Sequence, residues 1–318
     1  MTWDLVADIG GTNMRVAQVV AGRMETRRDF PMKSVTSVAE TLASVAADLG
    51  GSPSRVVAAG AGPVIGGDIT LTNGGWLVSE REIQTATGCD AARVINDFEA
   101  AAWSLASLKQ ADVEPIGGSG PLTSGHRVAV GPGTGLGVGC LIWDGAQYSV
   151  IPGEGGHVAV GPLTHADVPV FERLRKIWPE ANIAGTWSFE AEALLSGTGL
   201  PSLYQACGGA AGTPGKEIFE RATAGQGEAV QCIDVFRRQL ASVAGNLAVT
   251  INARGGVFML GGVAQANPSL FADGFWDAFH QGGRTPFTDL RMECGVYLVT
   301  IEDFGLRGCV NALQSMKN

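Results

Sequence analysis

Asp8-Ile9-Gly10-Gly11-Thr12-Asn13 and Gly131-Pro132-Gly133-Thr134-Gly135-Leu136-Gly137 decide the reading of this chain, because both sit in the same local plan. The first follows an apolar strand over 3–7 and leads to a strand over 14–20, an Ala21-Gly22 turn and a third strand toward Phe30. The second follows a strand over 127–130 and leads to strands over 138–143 and 148–151 joined through Asp144-Gly145. Strand, glycine turn, strand, turn, strand, twice over, indicates an internal duplication. Glycines let backbone N–H groups close on an anion, and the hydroxyls of Thr12 and Thr134 add donors. Asp8 would then face phosphates, which requires a divalent cation between them. A plain hairpin, with Asp and Gly serving turn geometry, is the alternative for the first loop alone. Neither loop carries a following Lys or opens into a helix, so neither is a Walker A or a Rossmann fingerprint.

Working outward, 318 residues suggest about two domains or one large α/β unit. The 46 glycines are about twice the usual share, without collagen-like period or low complexity, so turns and ligand approach must account for them. A formal charge of −9 with no basic run argues against nucleic acid. The six cysteines show no C-x-x-C spacing and read as reduced, mostly buried thiols. The first residues lack a secretory pattern, and uncharged stretches such as 193–215 are broken by Gly, Pro, Ser and Thr. A soluble cytoplasmic protein without a membrane partner is expected.

Val35, Val38, Leu42, Val45 and Leu49 mark a helix closed by Gly50-Gly51. Ser79-Glu80-Arg81-Glu82 reads as a capping box opening a helix that stops near Gly88. Ile233, Leu240, Val243, Leu247 and Ile251 mark a long helix before Gly255-Gly256. Strands are expected over 56–59, 93–95 and 257–260. Two glycine hairpins, followed by a glycine-bounded strand over 255–263, resemble the actin, hexokinase and heat-shock ATPase superfamily, whose duplicated lobes grip ATP. In that superfamily the third segment, here with Gly261 and Gly262, contacts the adenosine.

Asn96-Asp97 stands where a buried strand meets a helix expected over 99–108, and serves either a ligand or a helix cap. Glu154-Gly155-Gly156-His157 brings an acceptor and a titratable donor within four residues. A helix over 188–195 is expected to carry Glu192. Carboxylates, an amide and an imidazole suit the vicinal hydroxyls of a hexose. His126, His165 and His280 lack such company and read as solvated or loop residues. Asn73 lies in a glycine turn beside Trp76 that could close over a ligand.

With these motifs the chain resembles the bacterial ATP-dependent glucokinase family over essentially its whole length. The resemblance implies an α/β, two-lobed actin/hexokinase-like (ribonuclease H-like) fold with duplicated mixed sheets around a cleft. It implies a small lobe over 1–115, completed by a C-terminal helix over 302–318, and a large lobe over 116–301. Asp97 is then the base for the 6-hydroxyl of glucose, with Asn96, Glu154, His157, Glu192 and Asn73 holding the sugar. Mg-ATP is held by Asp8, Gly10, Gly11, Thr12, Asn13, Gly133, Thr134, Gly135, Gly261 and Gly262, with Asp8 reaching Mg2+ through water. A homodimer is implied as well. Alternatives are a kinase for another hexose from the related sugar-kinase and repressor family, or a non-catalytic sugar sensor. The residues after His157 carry no cysteine cluster for that family's zinc. Because the implied ligands come from both lobes, glucose is expected to draw the lobes closed.

Overall fold

The computed structural model describes residues 2–71, 75–118, 120–272, 274–281 and 285–316. It divides into two compact units: residues 1–108, 146–152 and 301–318, and residues 109–145 and 153–300.

In the first unit, strands β1 (Asp4–Ile9), β2 (Asn13–Val20), β3 (Arg23–Pro31), β4 (Arg55–Gly60) and β5 (Ala91–Asn96) form one sheet in the order β3-β2-β1-β4-β5. β1, β2 and β3 pair antiparallel, whereas β1, β4 and β5 run parallel. Leu5, Val6 and Ala7 are fully buried, as are Val56 to Ala59. Such unbroken apolar runs are what central strands covered on both faces require. At Ala21-Gly22 both residues take positive φ (48° and 76°), the geometry of a two-residue hairpin whose twist matches its strands.

One face of this sheet carries helix Val38–Asp48, whose N-cap Ser37 accepts a bond from Glu40 N and which ends before Gly50 and Gly51 at positive φ. The C-terminal helix Phe304–Ser315 also packs against this sheet and against helix Asp97–Ser104. Cys309 Sγ lies 3.4 Å from the carbonyl of Ala7, and Asn311 Nδ2 donates to the carbonyl of Trp103 at 2.8 Å. Gly308 meets helix Asp97–Ser104 so closely that a Cβ would stand 1.8 Å from the carbonyl oxygen of Ala100.

A second sheet repeats the plan. With β6 (Val113–Gly117), β7 (Arg127–Pro132), β8 (Leu136–Trp143), β9 (Tyr148–Ile151), β10 (Gly256–Met259) and β11 (Val296–Val299), it runs β9-β8-β7-β10-β11-β6, its edge strand β9 falling in the 146–152 stretch of the first unit and the rest in the second. Third, second, first, fourth and fifth strands therefore follow the same order in both sheets, with β6 added at the far edge. That shared order bears out the duplication read from the two loops. Helix Gly227–Thr250 packs its apolar residues, Phe236 and Leu240 among them, into a core with Val128, Val130, Val257 and Met259. All six cysteines are free, and all but Cys140 are buried.

Three local expectations need correction. The helix expected over 99–108 is an α-helix over Asp97–Ser104 followed by a 3-10 turn over Leu105–Ser107, because the cap at Asn96 starts it earlier. Helix Glu80–Thr87 ends at a left-handed Gly88 as expected, but the capping box does not form. Ser79 is a buried strand residue whose side chain makes no cap bond, and Glu80, the first helical residue, accepts from Val94 N at 3.0 Å. No α-helix covers 188–195: Phe189–Glu190 pairs with Ala159–Val160, and one 3-10 turn, Ala191–Ala193, follows. Ala191 N is held by the carbonyl of Val158, so ribbon bonding persists where the helix would have to begin.

Candidate active site

Asp8 is the next-to-last residue of its apolar strand, just ahead of the first glycine turn, which is closed by Gly10 N donating to the carbonyl of Asn13 at 2.9 Å. Gly11, Thr12 and Asn13 are exposed at its tip. Asp8 stands opposite Arg15 in the hairpin register, and Arg15 Nη1 donates to its carboxylate at 3.0 Å. A Cβ at Gly305 would come within 2.7 Å of the same carboxylate, so a larger residue there would push the Asp8 side chain aside. Burial pushes the Asp8 carboxyl above the usual carboxylate range, against the opposing pull of Arg15. A raised folded-state pKa stabilises fully below the ordinary value of 3.8 and loses that contribution as pH rises through the folded value. At neutral pH an ionised Asp8 therefore weakens the fold. Asp8→Asn is expected to melt no lower than the parent at pH 7, with its advantage shrinking on acidification. Calorimetry across pH reads this, and a clearly lower Tm at pH 7 would contradict it.

Asn96 caps helix Asp97–Ser104: its Oδ1 accepts from Phe98 N at 2.7 Å and from Glu99 N at 3.3 Å. Its Nδ2 donates to the carbonyl of Gly62 at 3.0 Å, which leaves one amide hydrogen to offer a hydroxyl. The capping alternative is thus realised, and it fixes Asp97 as the first helical residue. Asp97 Oδ1 accepts from Phe98 N at 2.9 Å, and the side chain is half-buried.

Within the second unit, three separate stretches converge on the second loop. Gly197 N donates to the carbonyl of Gly133 at 2.7 Å, and Thr198 Oγ1 donates to the carbonyl of Thr134 at 2.8 Å. Gly261, at φ 90°, approaches so near that a Cβ would stand 2.9 Å from the carbonyl of Pro132. The third stretch brings Glu192, whose Oε2 accepts from Leu136 N at 2.8 Å and lies where a Cβ of Gly135 would be. Thr134 stays exposed at the tip.

Glu154, His157 and Glu192 form one electrostatic neighbourhood with a fourth member, Glu190. His157 Nδ1 lies 2.8 Å from Glu190 Oε2. That bond, joined by the charges of Glu192 and Glu154, raises the His157 pKa above 6.5 against a smaller opposing effect of burial. Gly156 lets this turn press onto β8, since a Cβ there would stand 1.8 Å from the carbonyl of Leu136.

A family model described as Glucokinase matches residues 5–316. The chain belongs to the glucokinase family. The glucokinase of Nitrobacter hamburgensis is 35% identical over 319 aligned residues, covering 96% of each chain. That of Chelativorans sp. is 37% identical over 310, covering 93% of this chain and 86% of the relative. The crystal structure of glucokinase from an Antarctic psychrotroph superposes with a TM-score of 0.87 at 29% identity, over 99% of this chain and all of that one. The ROK hexokinase of Thermus thermophilus, at 20% identity and a TM-score of 0.70 over 99% of both chains, shares the fold. The α/β fold expected from the duplicated loops is therefore that of the glucokinase and ROK sugar-kinase structures.

Against this glucokinase background, the sequence reading omitted Arg15 and Glu190. Arg15 could have been found by pairing residues across the first hairpin, since it falls opposite Asp8. Glu190 carried no such signal, because its ribbon was read as helix. Asn73 lies outside the described residues. His126 is a loop residue as expected, although its Nδ1 accepts from Trp143 N, whereas His280 ends helix Phe275–His280 and its Nδ1 bonds the carbonyl of Trp276.

Proposed function

We propose that this chain is a glucokinase that transfers the γ-phosphoryl group of ATP to the 6-hydroxyl of glucose, giving glucose 6-phosphate and ADP. The observation that carries this reading is the gathering of Glu154, His157 and Glu192 beside a glycine loop, in a chain of the glucokinase family. Phosphoryl transfer has a loose transition state, so positioning and charge stabilisation dominate. Asp97 accepts the proton of the attacking hydroxyl, and Asn96 holds Asp97 at the helix start while offering its remaining amide hydrogen. Glu154, His157 and Glu192 hold further hydroxyls, with Asn73 assigned by resemblance. Gly10 to Asn13 and Gly133 to Gly135 supply backbone and hydroxyl donors to phosphates, and Gly261 and Gly262 receive the adenosine.

Mg2+ fits this donor set. It keeps most of its waters and takes one or two carboxylates plus phosphates, and Asp8 offers one mostly buried carboxylate beside the first loop. No cluster of three or more ligating side chains occurs among the described residues. When bound with ATP, the ion supplies neutralisation of phosphate charge. The reading extends to a cytoplasmic homodimer, by resemblance, and the charge of −9 argues against nucleic-acid partners.

A coupled assay should show ADP release that depends on glucose, and its absence would sink the reading. Glu154→Ala is expected to raise KM for glucose about tenfold or more, since each unpaired polar group left in such a site costs about 1–3 kcal/mol. Equal efficiency on glucose, mannose and galactose would mean the pocket is misassigned.

A further inference from the structure

His157 has a partner that none of the sugar contacts above requires. The two-residue ribbon sets Glu190 opposite Ala159, two residues beyond His157, and this register carries the Glu190 carboxylate to the imidazole Nδ1 at 2.8 Å. Both side chains are about half exposed, so the pair adds little to fold stability, and its effect falls on the ring itself. A carboxylate at Nδ1 demands a proton there, because the other neutral tautomer would turn a lone pair toward it. Nε2 is then left to the ligand in one of two forms. In the neutral ring it accepts, and in the protonated ring it donates.

The neighbouring groups make this choice consequential. Glu154 and Glu192 are acceptor-only when ionised. A neutral His157 with its proton on Nδ1 would add a third acceptor, whereas the protonated ring is a donor for a sugar hydroxyl oxygen. We propose that Glu190 is a positioning residue that locks the His157 ring and keeps Nε2 a hydrogen-bond donor to the sugar. This rests on the glucose reading above and names the residue that sets the polarity of its site. The charges facing the ring come from three elements: Glu190 on its ribbon strand, Glu192 on the following 3-10 turn, and Glu154 at the head of the ring's own turn. All three favour the protonated form, and Glu190 contributes most.

Glu190→Gln tests this, because the amide keeps the size and still accepts from Nδ1–H while the charge is lost. Two measurements are paired: the titration of the His157 ring followed by NMR in the sugar-free protein, assigned against His157→Gln, and the glucose Kd from calorimetry across pH. In Glu190→Gln the His157 midpoint is expected to move down. Glucose binding should weaken roughly three- to tenfold at pH values above the new midpoint and converge with the parent at acid pH. A merely structural role would shift Kd equally at every pH. An unmoved His157 midpoint, or parallel Kd profiles, overturns the proposal. If the parent binds no glucose, the sugar reading fails instead, and the titration still decides whether Glu190 controls the ring.

Discussion

Asp97→Asn is expected to lower turnover by about 10²–10⁴-fold, the usual worth of a positioned general base, while glucose still binds. The amide keeps the shape of the side chain and can still accept at Oδ1 from Phe98 N, so the helix start survives. What it would lose, on the role proposed for Asp97, is the ability to take the hydroxyl proton as the phosphoryl group transfers. Stopped-time assays for turnover and calorimetry for glucose separate the two effects. Near-normal turnover would remove Asp97 from the chemistry, and loss of binding with unchanged turnover would make it a sugar ligand only.

Gly308→Ala should be the most damaging single methyl in the first unit. In an ordinary helix this exchange stabilises by up to about 1 kcal/mol. Here the new Cβ would meet the carbonyl oxygen of Ala100 at 1.8 Å and its carbon at 2.5 Å, both backbone atoms that cannot swing aside. The two helices must separate, at about 1–3 kcal/mol or more for forced overpacking, and Tm is expected to fall by several degrees. Helix Asp97–Ser104 is the one that Asp97 heads, so turnover should drop with stability. Gly227→Ala, at the first residue of the long helix with open space around it, is the control expected to melt within about a degree of the parent. Equal Tm values for the two variants would show that the close approach is not as tight as described.

The fold was legible where local chemistry and tertiary context agree. The glycine loops, the buried runs at Leu5 to Ala7 and the Gly50-Gly51 stop each need only their own neighbours to be understood. The candidate site was legible in part, through the Asn96-Asp97 pair and the Glu154 to His157 turn. Errors arose where a distant partner outbid the local one. Ser79-Glu80-Arg81-Glu82 looks like a capping box, yet Ser79 is a buried strand residue whose side chain caps no helix N–H, and the strand it ends is placed by pairing that the local pattern does not show. Glu192 was placed on a helix, but a bond to Leu136 N across 56 residues and ribbon pairing with Ala159–Val160 hold its segment in another form. The bond from His157 to Glu190 spans 33 residues, a separation at which spacing patterns carry no signal.

The C-terminal helix sets an order of events during synthesis. The first unit takes its opening strands from the start of the chain and the helix Phe304–Ser315 from residues made about 200 positions after its last opening strand and helix. At about 5–20 residues per second, the ribosome needs roughly 10–40 s to span that interval. During it, the side of β1 and β4 that will receive Leu306, Cys309 and Leu313 has no cover from its own helix, while the strands of the second unit emerge and pair. The unit translated first is thus finished last. A premature stop before codon 304 would release a chain with its second unit intact and its Asp8 hairpin attached to an open sheet face, a substrate for holdases and proteases.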